Sequence, residues 1–155
     1  YVAEMAYRTG SQHLVGGQVL DLEGEGRQLT AEELRTIHNG KTTALITTSL
    51  RLGGMAAGCT QEQLDALTAY GKCLGLAFQI SDDILDVTGD VKVMGKNPGQ
   101  DLKDEKNTFT SLNGLDKAYE ILDILLGNAL EAIAEYYDNA EFFADLVNKL
   151  RVRDK

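Results

Sequence analysis

The chain has no tryptophan, a single proline, two histidines and two cysteines in 155 residues. Each scarcity removes a class of structure or chemistry. With Pro98 alone, helix interiors are almost free of residues that lack a donor N–H. Cys59 and Cys73 have no Cys-x-x-Cys spacing and no nearby histidine, which speaks against a disulfide framework and against zinc. They read as small buried hydrophobes in a reducing compartment. His13 and His38 are solitary, without the Glu-x-x-His spacing of a di-iron bundle. No apolar run approaches the roughly 20 residues of a membrane span. The opening Tyr1-Val2-Ala3-Glu4 reads as helix and not as a secretory leader, so the expected location is cytoplasmic. Basic residues are also in deficit, 15 against 24 acidic ones, for a net charge of −9. That balance excludes nucleic acid or an anionic membrane as a general partner. It leaves room for an anionic substrate, because a few lysines and a bound metal can reverse the sign locally.

What is present favours helix. Hydrophobic residues make up 43% of the chain, enough for one domain with a core. Ala, Leu, Glu and Lys, all good helix formers, are numerous. Helices are predicted over Tyr1–Thr9 and Leu14–Leu22. Thr30-Ala31-Glu32-Glu33 is a capping box opening a third, to about His38. Gly40 interrupts, and a helix from Lys41 to Ala57 follows, stopped by Gly58. Thr60-Gln61-Glu62-Gln63 opens the main helix, predicted to end near Val87. Leu64, Leu67, Gly71, Leu74, Phe78 and Leu85 give it a three-four packing rhythm, with Gly71 and Gly75 permitting close helix approach. A polar stretch from 88 to 107 is long for a connection in a compact domain, and two helices, Leu115–Tyr137 and Glu141–Arg151, finish the chain. Asn139 is the expected cap of the last.

The stretch Phe78-Gln79-Ile80-Ser81-Asp82-Asp83-Ile84-Leu85-Asp86 is the most informative. At about 100° per residue, Gln79, Asp82, Asp83 and Asp86 share one quadrant of the helix. Like charges at that spacing cost about 0.2–0.5 kcal/mol per pair, and Asp is a poor helix former. Water could offset them, or a divalent cation could. Hard oxygen-only donors suit Mg²⁺, which uses one or two carboxylates and leaves positions for water and substrate phosphates. Spacing alone leaves both open.

The lysines are the second signal. Lys41-Thr42-Thr43 is predicted to open a helix, grouping a cation, hydroxyls and free N–H groups as a diphosphate site would require. Lys96, in Gly95-Lys96-Asn97-Pro98-Gly99, sits where backbone could approach a phosphate, and Lys106-Asn107-Thr108 pairs another lysine with a hydroxyl. A Walker loop does not fit Gly89 to Lys96, which has one residue too many and is followed by Asn97. Asp82 to Asp90 is not a calcium loop, and no serine stands in a nucleophile elbow.

In order, Gly17-Gln18-x-x-Asp21, Lys41-Thr42, Phe78-Gln79-x-x-Asp82-Asp83-x-x-Asp86, Gly95-Lys96-x-x-Gly99-x-Asp101 and Lys106-x-Thr108 resemble the C-terminal half of a trans-polyprenyl diphosphate synthase. This is the farnesyl and geranylgeranyl diphosphate synthase family. The resemblance runs essentially from residue 1 to 155, and the order of five motifs makes it specific. It implies an all-α, isoprenoid-synthase-type helical bundle, of which this chain is the C-terminal half.

The resemblance also implies a reaction. An allylic diphosphate (dimethylallyl, geranyl or farnesyl) loses its diphosphate with Mg²⁺ assistance. The double bond of isopentenyl diphosphate attacks the resulting cation, and a proton is lost, with the released diphosphate as the expected base. On this reading Asp82 is the principal Mg²⁺ ligand, with Asp83 and Asp86 holding the metal's waters or completing its shell. Lys41 and Lys96 hold the allylic diphosphate, and Lys106 supports that site. Thr42 and Gln79 place oxygen dipoles beside the carbocation, Phe78 lines the substrate site, and Gln18 and Asp21 line or brace the cavity floor. The family also implies a homodimer.

The chain departs from the family pattern in one respect. The family's first aspartate-rich motif with its paired arginines is absent, as is the N-terminal Gly-Lys-x-x-Arg stretch that binds isopentenyl diphosphate. Residues 1–155 alone are therefore expected to be inactive and prone to aggregation. Other readings are a catalytically silent regulatory subunit, a terpene cyclase, and a helical scaffold with a solvated acidic face. The intact motifs speak against the first, and no Asn-Ser-Glu metal motif supports the second.

Overall fold

In the computed structural model, which describes residues 1–88, 108–136 and 140–153, the chain begins with α1 (Val2–Thr9), α2 (Leu14–Glu23) and α3 (Ala31–His38). A π-helical turn over Asn39–Thr43 joins α3 to α4 (Ala44–Ala56) without a break. The 28-residue α5 (Gln61–Thr88) follows, then a short α6 (Phe109–Asn113), α7 (Leu115–Ala134) and α8 (Glu141–Arg151). All of these elements are helical. Both capping boxes form: Thr30 accepts from the Glu33 N–H, and Thr60 and Gln63 exchange side-chain and backbone bonds. Gly58 closes α4 with φ of 76°, a conformation that suits glycine. The expected cap at Asn139 and most of the 88–107 stretch lie outside the described residues.

One sequence expectation is corrected. Gly40 does not end a helix, and Lys41 does not begin one. The chain runs helically through both, widened to π geometry, so Lys41 and Thr42 have no free helix N-terminus behind them.

α5 is about 42 Å long at 1.5 Å per residue, and it is covered along two stripes. Tyr70, Leu74, Ala77, Ile80 and Ile84 pack against Ala118, Leu122, Leu126, Ala129 and Ile133 of α7, with Val147 and Leu150 of α8 completing the cluster. The buried Tyr70 hydroxyl donates to the Phe143 carbonyl oxygen at 2.9 Å, tying α8 to α5. Burial pushes its pKa up to about 12.

The second stripe meets α4, which runs antiparallel. A Cβ on Gly71 would lie 2.9 Å from Thr47 Cα, and one on Gly75 would lie 2.7 Å from Thr43 Cα. The glycines thus let the two backbones touch, as the sequence suggested. Across the bundle, α2 approaches the π-helical turn just as closely. A Cβ on Gly17 would stand 2.5 Å from Lys41 N and 2.6 Å from Gly40 C. Near the other end of α4, Glu4 of α1 pairs with both Arg8 and Arg51, and Arg51 donates to Thr68 on α5 at 2.8 Å. These contacts hold α1, α4 and α5 in one unit.

Gly17→Ala in the full-length chain should therefore cost about 1–3 kcal/mol, because backbone must move to admit the methyl group. Gly53→Ala on α4 meets nothing within 4 Å and should instead gain up to about 1 kcal/mol of helix propensity. Urea titration of the two variants measures both signs.

Candidate active site

Three elements converge around the π-helical turn. On α2, Gly17 permits the close crossing, and Asp21, one turn further on, reaches the turn's lysine. Lys41 Nζ donates to Asp21 Oδ2 at 2.5 Å, with both side chains about two-fifths exposed. Beside them Thr42 accepts a hydrogen bond from Gln79 Nε2 at 2.6 Å, linking the turn to α5. Gln18 lies half-buried on α2, next to the crossing. The sequence reading placed Lys41, Thr42 and Gln79 in one site, and the fold brings them together. Asp21, expected to brace a cavity floor, is in addition the direct partner of Lys41.

His38 ends α3 immediately before this turn and is buried. Burial drives its pKa down to about 4; Asp21 partly opposes this, and the Lys41 charge adds to it. The ring is thus neutral at pH 7.

The acidic quadrant of α5 is resolved in a way the sequence did not anticipate. Asp82 Oδ1 is ion-paired with Arg153 Nη1 at 2.6 Å, 71 positions along the chain. The Arg153 guanidinium carbon also lies 4.6 Å from the centroid of the Phe78 ring. Asp83 Oδ2 accepts the Phe109 N–H at 2.5 Å, and so anchors the first turn of α6. Asp86 is buried at 2% exposure. Phe78, Leu74 and Leu50 line an apolar groove of about 830 Å³, closed on one side by Phe143, Leu150 and Arg153. The neutralising groups identified here are therefore a guanidinium and a backbone N–H.

Among the described residues, no three His, Cys, Asp or Glu side chains cluster as a metal cage. Mg²⁺ at a phosphate site needs no such cage, since it takes one or two carboxylates and fills its shell with water and substrate oxygen. Asp82 fits that role: its carboxylate is 42% exposed and already carries a cation. Lys96 and Lys106, with Gly95 and Asp101, lie outside the described residues.

The site built by Lys41, Thr42, Gln79 and the α5 aspartates can be set beside known proteins. A family model described as polyprenyl synthetase matches residues 3–141. The chain belongs to the polyprenyl synthetase family. It is 40% identical over 155 residues to the chloroplastic geranylgeranyl pyrophosphate synthase of Catharanthus roseus, covering 99% of this chain and 43% of that protein. It is 35% identical over 153 residues to the farnesyl diphosphate synthase of Bacillus subtilis (strain 168), covering 99% and 52%. Among solved structures, a geranyltransferase from Helicobacter pylori, complexed with magnesium and isoprenyl diphosphate, superposes with a TM-score of 0.76. It is 31% identical, with 96% of this chain and 50% of that one covered. The chain thus spans about half the length of the relatives it matches, and the all-α fold expected from sequence is the fold of this polyprenyl synthetase family member.

Arg153 is the site residue that the sequence reading missed. It forms no motif and stands far along the chain from Asp82, so only the docking of α8 reveals it. The π-helical turn was also missed, although Asn39-Gly40 inside a helical pattern marked its place.

The neutral His38 predicts a pH dependence. Its folded-state pKa, about 4, lies below the ordinary 6.5. Between those values the unfolded chain binds a proton that the folded chain does not. Its contribution is therefore complete above pH 6.5 and is lost as pH falls toward 4, by about 3 kcal/mol. Urea unfolding of the full-length protein from pH 7.5 to 4.5 should show that slope, and His38→Gln should flatten it.

Proposed function

We propose that this chain carries one wall of a prenyltransferase active site, which condenses isopentenyl diphosphate with an allylic diphosphate in short-chain elongation. The observation that carries the reading is the hydrogen bond from Gln79 to Thr42, which sets the Lys41 turn against α5, with Asp82 one turn past Gln79 on the same helix. Relatives over nearly the whole chain are geranylgeranyl and farnesyl diphosphate synthases, which supports the same chemistry. Product length is a property of the whole cavity, and farnesyl or a near neighbour is the reading adopted here.

Each residue has a physical task. Charge develops on the leaving diphosphate oxygens during ionisation, so a cation held beside them stabilises the transition state more than the ground state. Lys41 is that cation on this chain, and its bond to Asp21 fixes where the ammonium points. Lys96 and Lys106 are proposed to add to the same clamp. Asp82 would hold Mg²⁺, with Asp83 and Asp86 as its supports, and the ion when bound supplies positive charge to the diphosphate. Thr42 and Gln79 present oxygen dipoles to the allylic cation, and their mutual bond orients them. A carboxylate in their place would combine with the cation. Phe78 and the apolar groove beside it exclude water that would quench the cation.

The first aspartate-rich motif implied by the resemblance is proposed to lie in the half of the relatives' length that this chain does not span. The 155 residues alone are accordingly proposed to be inactive, and the intact enzyme is proposed to be a homodimer.

In the full-length protein, Asp82→Asn and Lys41→Ala should each lower kcat by about 10²–10³, the effect of removing one charge-stabilising group. Steady-state kinetics with isopentenyl and geranyl diphosphate, across a Mg²⁺ titration, measure it. Unchanged turnover in both variants, or turnover by residues 1–155 alone, would sink this reading.

A further inference from the structure

We infer that Arg153 is a built-in counter-ion for Asp82 that a divalent cation must displace, so that metal binding at Asp82 and seating of Arg153 on α5 exclude one another. The inference rests on the reading of Asp82 as a metal ligand. Its own support is geometric. Arg153 Nη1 meets Asp82 Oδ1 at 2.6 Å, and this nitrogen is buried while the carboxylate remains 42% exposed. The guanidinium lies over the Phe78 ring at 4.6 Å, so an aromatic face holds it in place as well.

The remainder of α8 does not depend on this contact. Val147 and Leu150 are buried in the core, Tyr70 bonds the Phe143 carbonyl, and Arg151 pairs with Asp123 at 3.0 Å. Val152, by contrast, is 72% exposed. Beyond α8, Arg153 is ion-paired with Asp82 and lies over the Phe78 ring. A dication on Asp82 would face a guanidinium at the distance of a direct contact, and the two positive charges cannot share that oxygen in a half-buried setting. Residues 152 and 153 can therefore shift away from Asp82 while the buried part of α8 stays packed.

This arrangement makes Arg153 a competitor for the metal site, and the coupling must be reciprocal. Removing the arginine strengthens metal binding, and adding metal loosens the end of α8.

The test uses the full-length protein and Mn²⁺ without substrate, with affinity read by calorimetry or by the spin resonance of free ion. Arg153→Gln should bind Mn²⁺ about fivefold more tightly, the factor expected for losing an ion pair of roughly 1 kcal/mol. Arg153→Lys, which keeps the charge, should stay close to wild type. Saturating Mn²⁺ should speed amide hydrogen exchange at residues 151–153 in wild type, and leave residues 141–147 protected. Asp82→Asn separates the two claims. If it binds Mn²⁺ as wild type does, Asp82 is not the ligand and the underlying reading fails. If it loses Mn²⁺ while Arg153→Gln matches wild type, or if exchange at 151–153 ignores the metal, the competition is refuted.

Discussion

The backbone contact between α4 and α5 is the constraint on which the site depends. Gly71 and Gly75 present no side chain to Thr47 and Thr43, and the two helices close until Cα atoms meet opposing backbone. That distance, with the antiparallel register it fixes, decides what happens one turn further on. The residue after Gly75 on the same stripe is Gln79, and the residue before Thr43 is Thr42. Their side chains have no choice but to meet, and they do so at 2.6 Å. A helix pair separated by leucines, at the usual 8–10 Å, would hold these groups too far apart for a direct hydrogen bond. The tightness has a cost. The hydroxyls of Thr43 and Thr47 are pressed against glycine and lack a hydrogen-bond partner among the described residues.

The stripe itself explains why carboxylates can sit on a core helix. Leu67, Gly71, Gly75, Gln79, Asp82 and Asp86 follow one another at steps of three or four. Up to Gly71 the stripe is covered by α4, and Gly75 meets Thr43, the last residue of the π-helical turn. Past that point α4 has given way to the π-helical turn, and the stripe turns polar where its cover changes. One continuous helix face thus serves as packing surface along half its length and as chemistry along the other.

Much of this could be read from the amino-acid order. Both capping boxes are local signals, completed within four residues, and both form. The glycine steps at 71 and 75 lie on a helical period, so their role in close approach followed from spacing alone. What could not be read depends on contacts between distant segments. The partner of Asp82 comes from the far end of the chain, and the acceptor of the Phe109 N–H is Asp83, 26 positions earlier. The π-helical turn failed to announce itself for a different reason. A glycine inside a helical pattern is equally compatible with a break and with a widened turn, and the approach of Gly17 is what settles it. The resemblance carried by five motifs reached further than periodicity, because it grouped Lys41, Thr42 and Gln79, whose meeting across two elements no local pattern announces.

The charges of the site follow from the same arrangement. Lys41 is balanced by Asp21, His38 beside them is neutral, and Asp82 is balanced by Arg153. Without ligand, neither pair leaves a net charge to be solvated in a partly buried place. A diphosphate arriving alone would compete with Asp21 for Lys41, and a dication arriving alone would compete with Arg153 for Asp82. Arriving together they offset one another, and each new pair replaces an old one of the same sign pattern. Burial explains why His38 must stay out of this exchange, since a proton there would add a second positive charge beside Lys41 and draw Asp21 away from it. The proposed chemistry, ionisation of a metal-bound diphosphate, therefore suits a wall on which Lys41 and Asp82 each already have a replaceable partner.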